Sequence, residues 1–189
     1  MDFEFEYDSF SRFAKPCFER YLAGYSGMHD IHFLEIGSYE GRSSVWMLQN
    51  VLSHPTSTLT SVDNCLGITF QRKNNMDVSE TIKRRFNHNT RLTGRSNQVI
   101  RIVESSQSAL KTLPQNHYDF IYIDGSHDYE DVLIDSALSI PLLKKGGLIA
   151  WDDYGNKHLG VAKAFDKFIL GREDIQVFEK DFHVWAIKT

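Results

Sequence analysis

Two short segments of this chain carry acids and a histidine in patterns that suit chemistry. Asp124-Gly125-Ser126-His127 and Asp152-Asp153-Tyr154-Gly155 each follow an apolar run. If those runs are adjacent strands, Asp124, Asp152 and Asp153 arrive side by side. Carboxylates crowded into a partly buried place need a cation or solvent to offset their repulsion. Mg2+ suits such a place, because it takes one or two carboxylates and fills its shell with waters and substrate oxygens. Helix capping, or pairing with Lys and Arg, would satisfy the same acids without a metal. His127 titrates near neutral pH and reads as a general base, or else as a histidine that only hydrogen-bonds its own loop.

A second constellation lies earlier. Glu35-Ile36-Gly37-Ser38-Tyr39-Glu40-Gly41-Arg42-Ser43 follows an apolar run and opens a helical pattern. Gly37 permits positive φ or a close ligand, Gly41 permits tight helix packing, and the helix start offers free N–H groups. A dinucleotide site wants G-x-G-x-x-G here, but Tyr39 stands where the second glycine would be. Glu35 and Glu40 are poor company for a pyrophosphate and suit a ligand with a cationic amino-acid end. Asp63, with Asn64 beside it, ends another run and is placed to accept from two ribose hydroxyls. Ser106-Gln107 offers hydrogen bonds to an adenine edge, although Ser105 or Ser106 could equally be a helix cap.

These residues need a scaffold that brings strand ends together. Apolar runs read as strands over Ile31–Ile36, Thr58–Asp63, Val99–Val103, Tyr118–Ile123 and Leu148–Trp151. Helical spacing covers Phe10–Tyr25, Arg42–Leu52, Tyr129–Leu143 and Val161–Leu170, with Lys144-Lys145-Gly146-Gly147 as a helix stop. Ile175–Phe178 and His183–Ile187 form a closing hairpin. The alternation predicts an α/β, Rossmann-like, doubly wound, mostly parallel sheet with an antiparallel strand at one edge, and ligands at the carboxyl ends of its strands. The stretch Asn64–Val78 lacks periodicity and reads as a lid or a hidden short helix.

Length bounds the rest. The chain has 189 residues, so a single domain over 1–189 is expected, with 1–30 as a helical extension and 64–95 as the lid or substrate region. It is 41% hydrophobic and 24% charged, which excludes a mostly disordered chain. No apolar run is long enough to span a bilayer, and the acidic, aromatic N-terminus is unlike a secretory signal, so the expected compartment is cytoplasmic and no membrane partner is expected. Cys17 and Cys65 form no metal-type pair. Net charge is −4, yet the Gln71–Arg95 stretch holds Arg72, Lys73, Lys83, Arg84, Arg85, Arg91 and Arg95 against Asp77 and Glu80. A solvated helix face is the leading reading of that stretch, ahead of a wall for an anionic substrate or RNA. Phe3, Phe5 and Tyr7 read as an aromatic arm that docks on a neighbour, giving a homodimer.

Taken together, the pattern resembles the class I S-adenosylmethionine-dependent methyltransferases from about Ile31 to Lys188. It is most similar to the small single-domain enzymes related to catechol O-methyltransferase and to bacterial methyltransferases with an Asp-Gly-x-His loop. The spacing of Glu35, Gly37, Tyr39, Gly41 and Ser43, the Ser106-Gln107 pair and Asp63 carry the likeness. The resemblance implies strand order 3-2-1-4-5-7-6. It also implies that Glu35, Gly37, Ser38, Tyr39, Gly41 and Ser43 hold the methionine part of the cofactor, Asp63 and Asn64 the ribose, and Ser106 and Gln107 the adenine. Asp124 and Gly125 would lie beside the cofactor. Asp124, Asp152 and Asp153 would be the Mg2+ positions, with Asp-Asp where the family has Asp-Asn. The catechol enzymes carry a catalytic lysine near the place of His127, so here His127, oriented by Asp124, is the candidate base. The implied reaction is O-methylation of a small hydroxylated acceptor, aided by Mg2+ or without it. Alternatives are an inactive cofactor-binding module and an RNA methyltransferase using the basic stretch. Acceptor selectivity is expected from the N-terminal helix, 64–78, Trp151, Tyr154 and the residues after it.

Overall fold

The computed structural model describes residues 2–67, 71, 74–155 and 159–189. Arg72 and Lys73 of the basic stretch, part of the 64–78 segment and the residues just after Gly155 lie outside them. One sheet of seven strands runs through the fold in the order β3-β2-β1-β4-β5-β7-β6. The strands are β1 (His32–Ile36), β2 (Thr58–Val62), β3 (Val99–Ile102), β4 (Tyr118–Ile123), β5 (Leu143–Trp151), β6 (Ile175–Lys180) and β7 (Val184–Lys188). Both the order and the antiparallel closing hairpin agree with the expectation from sequence. By contacts the chain divides into two compact units, one of residues 1–31 with 38–104 and one of residues 32–37 with 105–189.

In the first unit, β2 and β3 pair in parallel from Leu59↔Val99 to Val62↔Ile102. Helix α3 (Arg42–Asn50) buries Val45, Met47 and Leu48. The helix expected over Phe10–Tyr25 is broken. Helix α1 (Ser9–Arg12) stops, and α2 (Ala14–Tyr21) starts after Phe13. Pro16 is the cause: it has no N–H to give the Arg12 carbonyl, and its ring crowds that carbonyl. The two pieces still share a core, where Phe10 meets Phe18 edge-on at 5.2 Å and Phe18 meets Trp46 at 5.5 Å. Helix α4 (Ser79–Leu92) carries much of the basic stretch and anchors itself through buried Ile82 and Phe86, one turn apart.

In the second unit, β1 pairs with β4 in parallel from Phe33↔Phe120 to Ile36↔Ile123, and β4 with β5 from Tyr118↔Leu143 to Ile123↔Trp151. Strand β7 runs antiparallel to both β5 and β6. The central strands are buried on both faces, so they read as apolar runs without alternation. The Lys144–Gly147 stretch is not a helix stop. It lies inside β5, where the register slips between Tyr118 and Phe120, Gly146 takes φ +79°, and Lys144 Nζ donates to both Asp119 oxygens at 2.8 and 2.9 Å. Helix α6 (Tyr129–Ser139) and helix α7 (Leu159–Phe168) complete this unit.

Large rings hold it together. Trp185 stacks flat on Phe120 at 5.3 Å, and Trp151 meets Phe165 edge-on at 5.0 Å. All four are fully buried. Phe165→Ala should cost about 3–5 kcal/mol, through lost transfer energy and the cavity left under Trp151. Urea unfolding of the variant beside the parent checks this.

Candidate active site

The expected site residues divide between the two units. In the first, the chain leaves β1 through Ser38-Tyr39-Glu40-Gly41 and enters α3. Gly41 N–H donates to Ser38 O at 2.7 Å, and Tyr39 holds a positive φ of +47°. Gly41 is itself left-handed, at φ +81°, and a Cβ there would stand 2.9 Å from the Phe86 ring. Thus α4 packs onto the start of α3 only because this residue has no side chain. Asp63 fixes the turn from β2: one oxygen accepts from Tyr39 N–H at 2.7 Å, the other from Cys65 N–H at 2.6 Å. Its two oxygens are thereby oriented while each keeps a lone pair for a ligand. Asn64 Oδ1 accepts from Leu66 N–H at 3.0 Å, a local turn. Ser43 is buried, and buried Ser38 Oγ has no partner among the described residues.

The N-terminal arm lies along the same turn. Glu4 exchanges backbone bonds with the Asn89 amide at 2.7 and 2.9 Å, and Glu6 N–H donates to Glu40 at 2.6 Å. Arg84 pairs with Glu4 at 2.8 Å, Arg42 with Asp8 at 3.0 Å, and Arg85 with both Glu6, at 3.1 Å, and Glu40. Arg42 also covers the Phe5 ring at 4.3 Å. The acidic start of the chain therefore meets arginines of the basic stretch. Tyr7 leans on Tyr39 with ring centres 6.4 Å apart, and the Gln71 amide donates to Tyr39 Oη at 3.1 Å. Burial, above all, lifts the Tyr39 phenol to about 12.

In the second unit, β1 and β4 end in contact. Asp124 N–H donates to Ile36 O at 2.8 Å, and Gly37 at φ +85° lies so close to Asp124 O that any Cβ would overlap it. Glu35 is fully buried just upstream. Asp152 N–H donates to Ile123 O at 3.0 Å, which brings the end of β5 alongside. Asp124, Asp152, Asp153 and His127 are thus gathered as expected. Their pairing differs from expectation. His127 Nε2 lies 3.2 Å from Asp153 and 3.9 Å from Asp124, so Asp153 is the nearer acid to the candidate base. Asp153 reaches it from a left-handed backbone at φ +57°.

The sequence reading missed His183. This residue is 3% exposed and its Nε2 meets Asp152 Oδ1 directly. Burial alone would raise Asp152, but His183 and a hydrogen bond with Asp124 outweigh it and hold the Asp152 carboxyl below its ordinary range. Asp124 goes the other way: burial, then the charges of Asp152, Asp153 and Glu35, raise it well above the usual carboxylate range. Tyr122, fully buried beneath them, is kept protonated by burial and the same acids. Among the described residues, no group of three or more His, Cys, Asp or Glu is arranged to hold a metal ion. A histidine beside a hairpin gave no spacing signal, because its partner, Asp152, lies far earlier in the chain.

The residues expected at the adenine occupy the start of α5 (Ser106–Ala109). Ser105 is the cap, accepting from Ser108 N–H at 3.3 Å. Gln107 donates to Asp131 at 3.3 Å, and the Ser106 hydroxyl donates to buried Asp135. Gly125 packs against Asp135 as well. Trp151 does not face an acceptor: it is fully buried and donates from Nε1 to Ser136 Oγ at 2.9 Å. Tyr154 donates to Asp166 at 3.0 Å. Among the described residues, no helix is long and apolar enough to cross a membrane.

Comparison with known proteins places the chain in a family. Residues 34–154 match a family described as a methyltransferase domain, and the chain belongs to that family. A 128-residue stretch is 34% identical to uncharacterized protein R132 of Acanthamoeba polyphaga mimivirus. That stretch is 66% of this chain, and the chain spans about half (52%) of the relative's length. The fold resembles that of the O-methyltransferase TomG from Streptomyces achromogenes, solved with SAM (TM-score 0.64, 18% identity, 84% of this chain and 73% of that one). It also resembles a Bacillus cereus O-methyltransferase solved with SAH (0.62, 14%, 84% and 74%) and a Clostridium thermocellum protein provisionally named an rRNA-methylase (0.70, 13%, 93% and 97%).

Two predictions follow from charges fixed around these turns. Arg85→Ala leaves Glu40, 2% exposed, without its strongest partner and should cost about 3 kcal/mol in urea unfolding. Asp135 is raised to about 6, mainly by burial. A group raised on folding contributes stability that is full below its unfolded pKa, near 4, and is lost as pH climbs through 6. Asp135→Asn should therefore flatten the fall in thermal midpoint between about pH 4 and 6.

Proposed function

We propose that this chain transfers the methyl group of S-adenosylmethionine to a hydroxyl oxygen of a small molecule. The observation that carries this reading is the His127–Asp153 pair set beside Asp124 at the carboxyl ends of β4 and β5, in a chain of the methyltransferase-domain family. The residues present fit the cofactor. In the first unit, Asp63 presents oriented acceptors for ribose hydroxyls, and buried Ser38 Oγ has no partner among the described residues. In the second, Glu35 is a buried anion of the kind that suits a cationic amino-acid end. When bound, S-adenosylmethionine supplies a methyl already made electrophilic by its sulfonium.

The protein's work is then alignment and proton removal. His127 takes the acceptor's proton, and Asp153 orients the imidazole and stabilises its charged form. Ser106, Gln107 and Gly125 border the adenine, and Gly37 and Gly41 shape the turn before α3. Magnesium assistance would need Asp124, Asp152 and Asp153 as ligands, and among the described residues these acids are not arranged to hold an ion. The RNA reading gains nothing from Arg84 and Arg85, which meet Glu4, Glu6 and Glu40.

Calorimetric titration with S-adenosylmethionine, with NAD as control, tests the cofactor. Micromolar binding of the first alone is expected, and preference for NAD would overturn the reading. His127→Ala should lower turnover on a hydroxylated acceptor by about 10²–10⁴-fold while cofactor binding is retained. Tight binding with no turnover on any acceptor would instead identify a binding module.

A further inference from the structure

We propose that His183 takes the place a divalent cation would hold in the acid cluster, so that the cluster binds no metal and methyl transfer here is metal-independent. The inference rests on the reading of this cluster as the methyl-transfer site and deepens it. His183 belongs to the tip of the closing hairpin. Asp181 N–H donates to His183 O at 3.0 Å, and Gly155 N–H donates to Phe182 O at 3.0 Å, so the tip is tied to the loop that follows Asp152 and Asp153. Gly155 lies so close to the tip that a Cβ there would stand 2.6 Å from Asp181 O. The imidazole is thereby delivered to Asp152 by backbone contacts rather than by a free side-chain swing.

The atoms concerned are closed to solvent. Asp152 Oδ1 and His183 Nε2 are both buried against each other, and His127 Nε2 is buried beside Asp153. A magnesium ion needs ligand oxygens at about 2.1 Å in near-octahedral array and keeps several waters. Here one Asp152 oxygen is held by His183, Asp152 also shares a hydrogen bond with Asp124, and Asp153 faces His127. Entry of the ion would require expelling an imidazole that is 3% exposed. A histidine in this position sets its ring nitrogen against the Asp152 oxygen that the ion would otherwise take.

Manganese stands in for magnesium in the test, because its paramagnetism reports binding directly. Full-length protein, saturated with S-adenosylhomocysteine, should leave the Mn2+ resonance spectrum unchanged, and turnover should be the same before and after EDTA. One Mn2+ bound per chain, displaced by Mg2+ and lost in Asp152→Asn, would overturn the proposal. His183→Ala opens the Asp152 oxygen and should gain Mn2+ binding. If that variant melts like the parent and still binds none, His183 is not the group that holds the ion's place. Calorimetry with S-adenosylhomocysteine runs alongside: failure to bind it would sink the proposed function while leaving the metal result to stand by itself.

Discussion

One backbone hydrogen bond, from Asp124 N–H to Ile36 O, sets where the chemistry of the second unit can occur. It extends the β1–β4 ladder one step past the last paired residues and brings the following loop against Gly37. No residue with a side chain fits there. The same device is repeated one strand along, where Asp152 N–H reaches Ile123 O. Each such bond places a carboxylate at the point where its strand stops. The acids are therefore assembled by the sheet, whose geometry is paid for by the apolar strands below.

Assembling acids creates an electrostatic problem, and the fold sets different surroundings around each acid. Burial and the neighbouring acids push the Asp124 carboxyl up. His183 holds the Asp152 carboxyl down. Two neighbouring carboxyls are thus shifted in opposite directions, because their surroundings differ. The first unit faces the same problem with Glu40, which is buried at the turn into α3 and answered by Arg85 from α4. There the partner is a guanidinium, whose several donors serve Glu6 as well.

Much of this was legible in the sequence. The hairpin and the arrival of Asp124, His127, Asp152 and Asp153 at neighbouring strand ends follow from apolar runs ending in acids, whereas the strand order came from the family resemblance. That legibility has a physical basis: a parallel sheet buried on both faces writes each strand as a continuous apolar run, and its ends mark the ligand crevice. What failed was what periodicity does not encode. Pro16 broke a helix whose apolar spacing continues past it. Lys144-Lys145-Gly146-Gly147 looked like a helix stop, yet Lys144 was needed by Asp119 and the glycines absorb a register slip inside β5. Trp151 looked like a wall for an acceptor, but two-sided burial of β5 turns it inward.

The partners of the buried charges were the least legible of all. Glu40 finds Arg85, Asp152 finds His183, and the acidic arm finds Arg42 and Arg84, each across thirty or more residues of sequence. Composition registered the basic stretch and the acidic N-terminus as separate features, the first read chiefly as a solvated helix face. Folding brings them together, because a charge near low-dielectric surface is stabilised most by the opposite charge that backbone geometry can hold in place. A surplus of one sign in a segment is therefore weak grounds for a polyanion partner when an opposite surplus lies elsewhere in the same unit. The hairpin histidine makes the converse point: a single residue in an unremarkable position meets a buried acid of the cluster, because the strand that follows it pairs with β5.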